Sequence, residues 1–484
     1  MIAAHCYIGG TWTEGQARET ATRLNPADLS ETVGTYPLAG AADVDAAVRA
    51  ARAALPAWRA MAAPARGELL FRAAGLLERE AGAIAELLTR EMGKPIGEAE
   101  GELKRGAALL RYYAGEGMRA VGEVYPASDG RSLLYTNRVP IGVVGVVTPW
   151  NFPVAIPLWK IAPALAYGNT VVWKPAEDAG ITGYRLMRIL AEAGLPEGVV
   201  NFVTGAGGEA GEALVAHPGV DALTFTGSNA VGKRVALEAV GRGAKYQLEM
   251  GGKNPSIVAA DADLELAAEL TLSAAMRSAG QKCTATSRVI VEREIVPVFT
   301  ELLVAKARSL KLSNPLARDC VLGPVVNGRQ NESIVAAIRR GTADGARLLT
   351  GGGPPRTQAL ASGYYIEPTL FDRVDPGSEL SQQELFGPVL AIVAADGLEQ
   401  ALAIANDVKY GLSAAIFTKD LDRMFRFLRT AQAGMLKING ETAGVEPHAP
   451  FGGIKQSSSH SREQGRAAIE FYTSVQTIAV TPTE

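Results

Sequence analysis

Apolar positions give the first reading of this chain. Val44, Val48, Ala51, Leu55 and Trp58 recur at steps of three and four, the spacing that lines up one face of an amphipathic helix. The pattern predicts a helical region ahead of residue 140, and there it changes. Short Val-rich apolar runs at 141–147, 170–173, 199–203, 222–225 and 246–248 alternate with helical stretches at 156–166, 181–193, 208–216 and 230–240. Strands that are continuously apolar and separated by crossover helices imply a parallel, doubly wound sheet.

A second alternating series follows Gly251-Gly252. Strands are expected at 256–259, 288–292, 389–394 and 414–417, and helices at 264–278, 296–309, 330–341 and 398–406. The fold class is therefore α/β, with two doubly wound domains and the glycine pair as a hinge between them. The cleft between the domains is flanked by Glu249 and Cys283, and such clefts are where ligands bind. Residues 123–138 and 471–480 read as isolated strands outside both cores.

Composition narrows the class. A length of 484 residues suggests about three domains, and 47% apolar with 20% charged residues fits an ordinary soluble enzyme. A net charge of −3 points to neither nucleic acid nor membrane. No apolar run reaches the roughly 18 residues of a membrane span, and residues 1–10 lack the basic and apolar regions of a secretory signal. Cys6, Cys283 and Cys320 are odd in number and far apart, which argues against a disulfide framework and fits a reducing cytoplasm. Cysteines and histidines lack ligand spacing, so no metal is expected.

Three segments carry candidate chemistry. Cys283 lies in Gly280-Gln281-Lys282-Cys283-Thr284-Ala285-Thr286-Ser287-Arg288, framed by small and polar residues that leave the sulfur reachable, with Lys282 expected to favour the thiolate. Glu249, in Leu248-Glu249-Met250-Gly251-Gly252-Lys253-Asn254-Pro255, stands between an apolar strand and a turn, as a partly buried general base does. Asn151, in Thr148-Pro149-Trp150-Asn151-Phe152-Pro153, offers an amide at a strand end. Nucleophile, base and oxyanion donor are the parts of covalent acyl chemistry.

Together with Trp173-Lys174-Pro175-Ala176-Glu177, Phe225-Thr226-Gly227-Ser228, Glu384-Leu385-Phe386-Gly387-Pro388 and Pro450-Phe451-Gly452-Gly453, these segments resemble the aldehyde dehydrogenase superfamily along essentially the whole chain. The resemblance implies an NAD(P)-binding domain from residues 1–121 and 141–251 and a catalytic domain from 252–451. It also implies oligomerisation strands at 122–140 and 466–484, hence a homodimer or homotetramer. Cys283 is then the nucleophile, Asn151 and the Cys283 N–H hold the oxyanion, and Glu249 activates water, which favours hydrolysis over transfer to CoA.

For the cofactor, Gly205-Ala206-Gly207-Gly208-Glu209-Ala210 satisfies the dinucleotide pattern G-x-G-x-x-A. The resemblance instead puts the pyrophosphate one strand later, at Ser228 on a helix N-terminus. Gly205 is left to the adenine pocket or to a plain tight turn. Lys174 and Glu177 fall at the adenosine ribose, where a carboxylate repels a 2′-phosphate and favours NAD over NADP. Glu384 falls at the nicotinamide ribose, with Phe386 and Trp150 at the nicotinamide.

Phe152, Trp159 and Val445 align with the substrate tunnel. Arg105 and Arg277 fall at lining positions too, which suggests an anionic substrate unless they face solvent. The ending Ser457-Ser458-Ser459-His460-Ser461-Arg462-Glu463-Gln464-Gly465 is similar to that of α-ketoglutaric semialdehyde (2,5-dioxovalerate) dehydrogenases. Succinic semialdehyde and aromatic or aliphatic aldehydes are the alternatives. A catalytically silent dinucleotide-binding protein is the reading from another class.

Overall fold

The computed structural model describes residues 1–16, 19–119 and 121–483. Ala120 of the 1–121 segment and Glu484 of the 466–484 segment lie outside the described residues, as do Ala17 and Arg18.

The first of two seven-stranded sheets runs in the order Lys245–Glu249, Ala222–Thr226, Val143–Thr148, Thr170–Pro175 and Val200–Phe202, all parallel. An antiparallel hairpin, Cys6–Ile8 and Thr11–Thr13, completes it. Its central strands are buried on both faces, which is why they read as unbroken apolar runs. Register brings four strand ends to one edge: Thr226 pairs with Glu249, Phe225 with Val147, and Val147 with Lys174. Strand order reverses direction at Val143–Thr148, and the carboxyl edge at such a switch point is where open α/β sheets bind ligands.

The second sheet is ordered Arg347–Thr350, Thr369–Asp372, Val389–Ala395, Thr286–Glu292, Asn254–Val258, Ser413–Phe417 and Met435–Ile438, parallel except for the first strand. Chain passes from one sheet to the other through Met250–Lys253, so the carboxyl edge of the first meets the amino edge of the second. A separate antiparallel sheet joins Thr473–Val480, Leu133–Pro140 and Val124–Tyr125.

The helical region ahead of residue 140 resolves into four helices, Ala41–Ala60, Ala63–Arg79, Ala81–Met92 and Ile96–Glu116. Val44, Val48, Ala51 and Trp58 of the first are buried. Three elements depart from the sequence expectation. The helix expected to 278 ends at Met276, because Ser278, Ala279 and Gly280 take φ of 55°, 53° and 68°. Only Glu212–Ala216 of the 208–216 stretch is α-helical; Gly207–Gly211 forms a wider turn, in keeping with the helix cost of its three glycines. Phe471 and Tyr472, expected in a strand, are buried in a short helix, Ile469–Tyr472, and pairing begins at Thr473. No helix among the described residues is long and apolar enough to cross a membrane.

Candidate active site

Cys283 sits in the loop between the left-handed turn and the strand Thr286–Glu292. The loop is fastened at several points. The Ser278 N–H and hydroxyl donate to Glu98 at 3.0 and 2.5 Å. Asn254 Nδ2 donates to the carbonyls of Cys283 and Ala285 at 2.8 and 2.9 Å. A Cβ at position 280 would come within 2.1 Å of the Gly387 carbonyl, so glycine lets the loop lie against the Glu384–Pro388 segment.

The sulfur keeps part of its surface open to the cleft, yet burial and the carboxylates of Glu384 and Glu249 push the thiol up to about 12. Its own N–H and that of Thr284 offset this only partly. The expected help from Lys282 is therefore outweighed. Burial weakens Lys282 itself as a cation, and the carboxylates that counter this are Glu98 and Glu441.

Asn151 follows the strand Val143–Thr148 and is buried. Its side-chain amide donates to the Gln281 carbonyl at 3.0 Å, which aims it at the Cys283 loop and leaves a second N–H for a ligand. The Asn151 backbone carbonyl accepts from Lys94 Nζ at 2.8 Å. Lys94 also forms a buried ion pair with Glu102, and Glu102 accepts the N–H groups of Val154 and Ala155 at 2.8 and 3.1 Å. Gln281 Oε1 accepts from Val326 N–H at 2.9 Å. Asn151 is thus held from both sides by groups that no sequence signal singled out.

Glu249 ends its strand with 2% exposure. Ser458 Oγ donates to Oε2 at 2.6 Å, and Oε1 is buried without a partner. Burial first, then the neighbouring Glu463 carboxylate, hold the Glu249 carboxyl well above the usual range; Ser458, Lys160 and Arg462 pull the other way. Lys160 is itself paired with Glu463.

Two cavities lie along the carboxyl edge of the first sheet. One of about 230 Å³ is lined by Trp150, Asn151, Ser228, Cys283, Gln330, Glu384 and Phe386. Trp150 and Phe386 meet edge to face, 5.5 Å between centroids, and Phe386 holds a left-handed φ of 56°. Gln330 fixes this backbone by donating to the carbonyls of Leu385 and Phe386 at 3.0 and 3.1 Å. Gly252 N–H donates to Glu384 Oε1 at 3.0 Å, and a Cβ on Gly251 would strike Glu384 Oε2 at 1.9 Å. The other cavity, about 610 Å³, is lined by Lys174, Glu177, Gly207, Gly208 and Gly211. Glu177 accepts Gly207 N–H at 2.9 Å, and burial lowers Lys174 to about 8. Gly205 packs against Ala39 and Ala210 rather than lining this space. Ser228 caps the helix Asn229–Gly241. A third cavity of about 620 Å³, beside Asp28, Arg308 and Tyr365, is as large but holds none of these groups.

A profile of the aldehyde dehydrogenase family matches residues 12–478. The chain belongs to the aldehyde dehydrogenase family. It is 51% identical to the α-ketoglutaric semialdehyde dehydrogenase of Bacillus subtilis (strain 168) over 476 residues, 98% of each chain. It is 42% identical to the α-ketoglutarate semialdehyde dehydrogenase of Haloferax volcanii over 473 residues, again 98% of each. Betaine aldehyde dehydrogenase of Staphylococcus aureus, solved in complex with NAD+, superposes with a TM-score of 0.97 at 32% identity, covering 99% of this chain and 95% of that one.

Within this aldehyde dehydrogenase the residues aligned with a substrate tunnel differ in setting. Trp159 is buried and stacks on Phe451 at 5.3 Å. Phe152 carries Lys94 Nζ 3.8 Å above its ring. Arg105, on the helix Ile96–Glu116, is half-buried with the charges of Glu446 and Glu102 near it. Val445 is half-buried in the irregular segment before Phe451, whereas Arg277 is exposed.

The cleft electrostatics can be measured through the thiol. Without cofactor, alkylation of Cys283 by iodoacetamide should still be accelerating at alkaline pH, because the thiol is raised to about 12. Glu384→Gln removes a negative neighbour and should speed labelling at mildly alkaline pH by about tenfold. Mass-spectrometric labelling rates across a pH series check both; a plateau near neutrality would contradict the assignment.

Proposed function

We propose that the protein oxidises a carboxylate-bearing semialdehyde, α-ketoglutaric semialdehyde first among them, to the acid, with NAD as hydride acceptor. The observation that carries this is the meeting of Cys283, Asn151 and Glu249 where the two sheets abut, beside the cavity of Trp150 and Phe386. The close relatives named for semialdehydes support the substrate class.

The residues present fit a dinucleotide. Free N–H groups at the Ser228-capped helix suit a pyrophosphate. Lys174 and Glu177 offer a donor and an acceptor to the adenosine ribose, Gly205 shapes the turn bounding the adenine side, and Glu384 takes the nicotinamide ribose. NAD held by these residues would supply the hydride acceptor and a positive charge that favours the thiolate. The Cys283 sulfur adds to the aldehyde carbon, and the resulting oxyanion is held by Asn151 Nδ2 and the Cys283 N–H, one such donor contributing about 3 kcal/mol. Hydride loss leaves a thioester on Cys283. Glu249 then takes a proton from water, which hydrolyses the thioester.

Arg105 receives the distal carboxylate of the substrate in this reading, with Arg277 further out and weakened by solvent. Phe152, Trp159 and Val445 enclose the carbon chain. The sheet of Thr473–Val480, Leu133–Pro140 and Val124–Tyr125 exposes Val475, Val480 and Val124, which suits a homodimer or homotetramer contact. Three free cysteines suit the cytoplasm.

Glu249→Gln should leave a rapid burst of reduced cofactor and slow the turnover that follows, since only thioester hydrolysis needs the base; stopped-flow traces slowed equally in both phases would remove Glu249 from that role. Because a raised carboxyl is ionised only at higher pH, parental hydrolysis should rise with pH and the variant's should not. Glu177→Ala should raise the NADP-to-NAD ratio of kcat/KM by about tenfold or more, and an unchanged ratio would place ribose reading elsewhere. Arg105→Leu should cost α-ketoglutaric semialdehyde about tenfold in kcat/KM while sparing a neutral aldehyde of equal length. Equal losses on both would assign Arg105 to the fold.

A further inference from the structure

The segment Ser457-Ser458-Ser459 runs antiparallel along the end of the Glu249 strand. Met250 N–H donates to the Ser457 carbonyl at 2.7 Å, and Ser459 N–H to the Leu248 carbonyl at 2.9 Å. Leu248 N–H donates to Ser459 Oγ at 2.9 Å, and Glu249 and Ser458 face each other across an isolated bridge. Ser458 Oγ accepts Gly453 N–H at 2.7 Å, so its single proton is free to point at Glu249 Oε2, 2.6 Å away. The other oxygen, Oε1, is buried with no hydrogen bond. Beside it lies Gly452, with φ 147°, where a Cβ would stand 2.9 Å from Oε1.

We infer that Ser458 is a positioning residue that engages Oε2 and so leaves Oε1 as the oxygen that deprotonates the hydrolytic water, in a place that a side chain at position 452 would deny it. The inference rests on the role of Glu249 given above. In the step it serves, a water proton moves to Oε1 and the water oxygen adds to the acyl carbon. The C–S bond then breaks and Cys283 leaves as thiolate. The charged and titratable groups facing Glu249 are Glu463, Lys160, Arg462 and Cys283. A hydrogen bond donated to the carboxylate favours its ionised form, so Ser458 opposes burial and Glu463. Loss of the hydroxyl therefore raises the pH at which Oε1 becomes basic and misaims the carboxylate.

The test follows decay of the acyl-enzyme, formed from NAD and one equivalent of aldehyde, by quenched-flow mass spectrometry across a pH series. Ser458→Ala should slow decay at neutral pH about tenfold and shift its half-maximal pH upward by about one unit. The hydride-transfer burst should stay within about twofold of the parent, and Ser458→Thr should restore both quantities. Parental decay and profile in Ser458→Ala, or burst and decay falling by the same factor, would overturn the inference. Glu249→Gln run in parallel separates the two claims. If it arrests decay while Ser458→Ala does not, the serine assignment alone fails; if it leaves decay intact, the base assignment fails and this one with it.

Discussion

Desolvation in the cleft between the two sheets governs how the other groups of the site are arranged. Cys283, Glu249 and Glu384 all ionise to negative charge, burial is the largest influence on each, and all three are raised. Glu384 and Glu249 further raise the thiol by their charge, so the thiol ionises independently of neither carboxylate. Burial and the two carboxylates thus favour the protonated thiol, whereas a positive charge entering the cleft, or neutralisation of one carboxylate, favours the thiolate.

Such a site needs rigid neighbours, and the supporting groups are themselves buried and paired. Lys94 holds the Asn151 carbonyl while Glu102 neutralises Lys94 and caps the start of the next helix. Removing one member of a buried pair strands its partner's charge, at about 3–5 kcal/mol, so Asn151 is held by a network that resists piecemeal change. Glycines contribute on the opposite wall. Gly280 and Gly251 have no side chain because backbone or carboxylate occupies the space a Cβ would need.

The alternating apolar runs made the central strands of both seven-stranded sheets legible, but not the Cys6–Ile8 and Thr11–Thr13 hairpin or the outer strands Arg347–Thr350, Thr369–Asp372 and Met435–Ile438. Cys283, Glu249 and Asn151 stood out as candidates for a different reason: each is a nucleophilic, titratable or hydrogen-bonding side chain in a setting of Gly, Pro and hydroxyl residues that a core position does not need. Lys94 and Ser458 gave no such signal. Their partners lie 57 and 209 residues away, at Asn151 and Glu249, and no local pattern encodes contacts of that span. The left-handed turn at Ser278 and Ala279 was hidden too, because neither residue advertises a positive φ and the conformation is imposed by Glu98 and by contact with Gly387. The glycine pattern at Gly205 matched a dinucleotide loop, yet its immediate contacts are Ala39 and Ala210. A motif records a turn, and only the neighbours record its use.

Arg105 shows the same contest between burial and neighbouring charge. It is half-buried; burial works against its cation first, and the charges of Glu446 and Glu102 offset this. Neither carboxylate is drawn up to it as an ion pair, so its charge is compensated only at a distance. On the proposed reading an anionic group reaching Arg105 would give it the direct partner it lacks, and a neutral group would not.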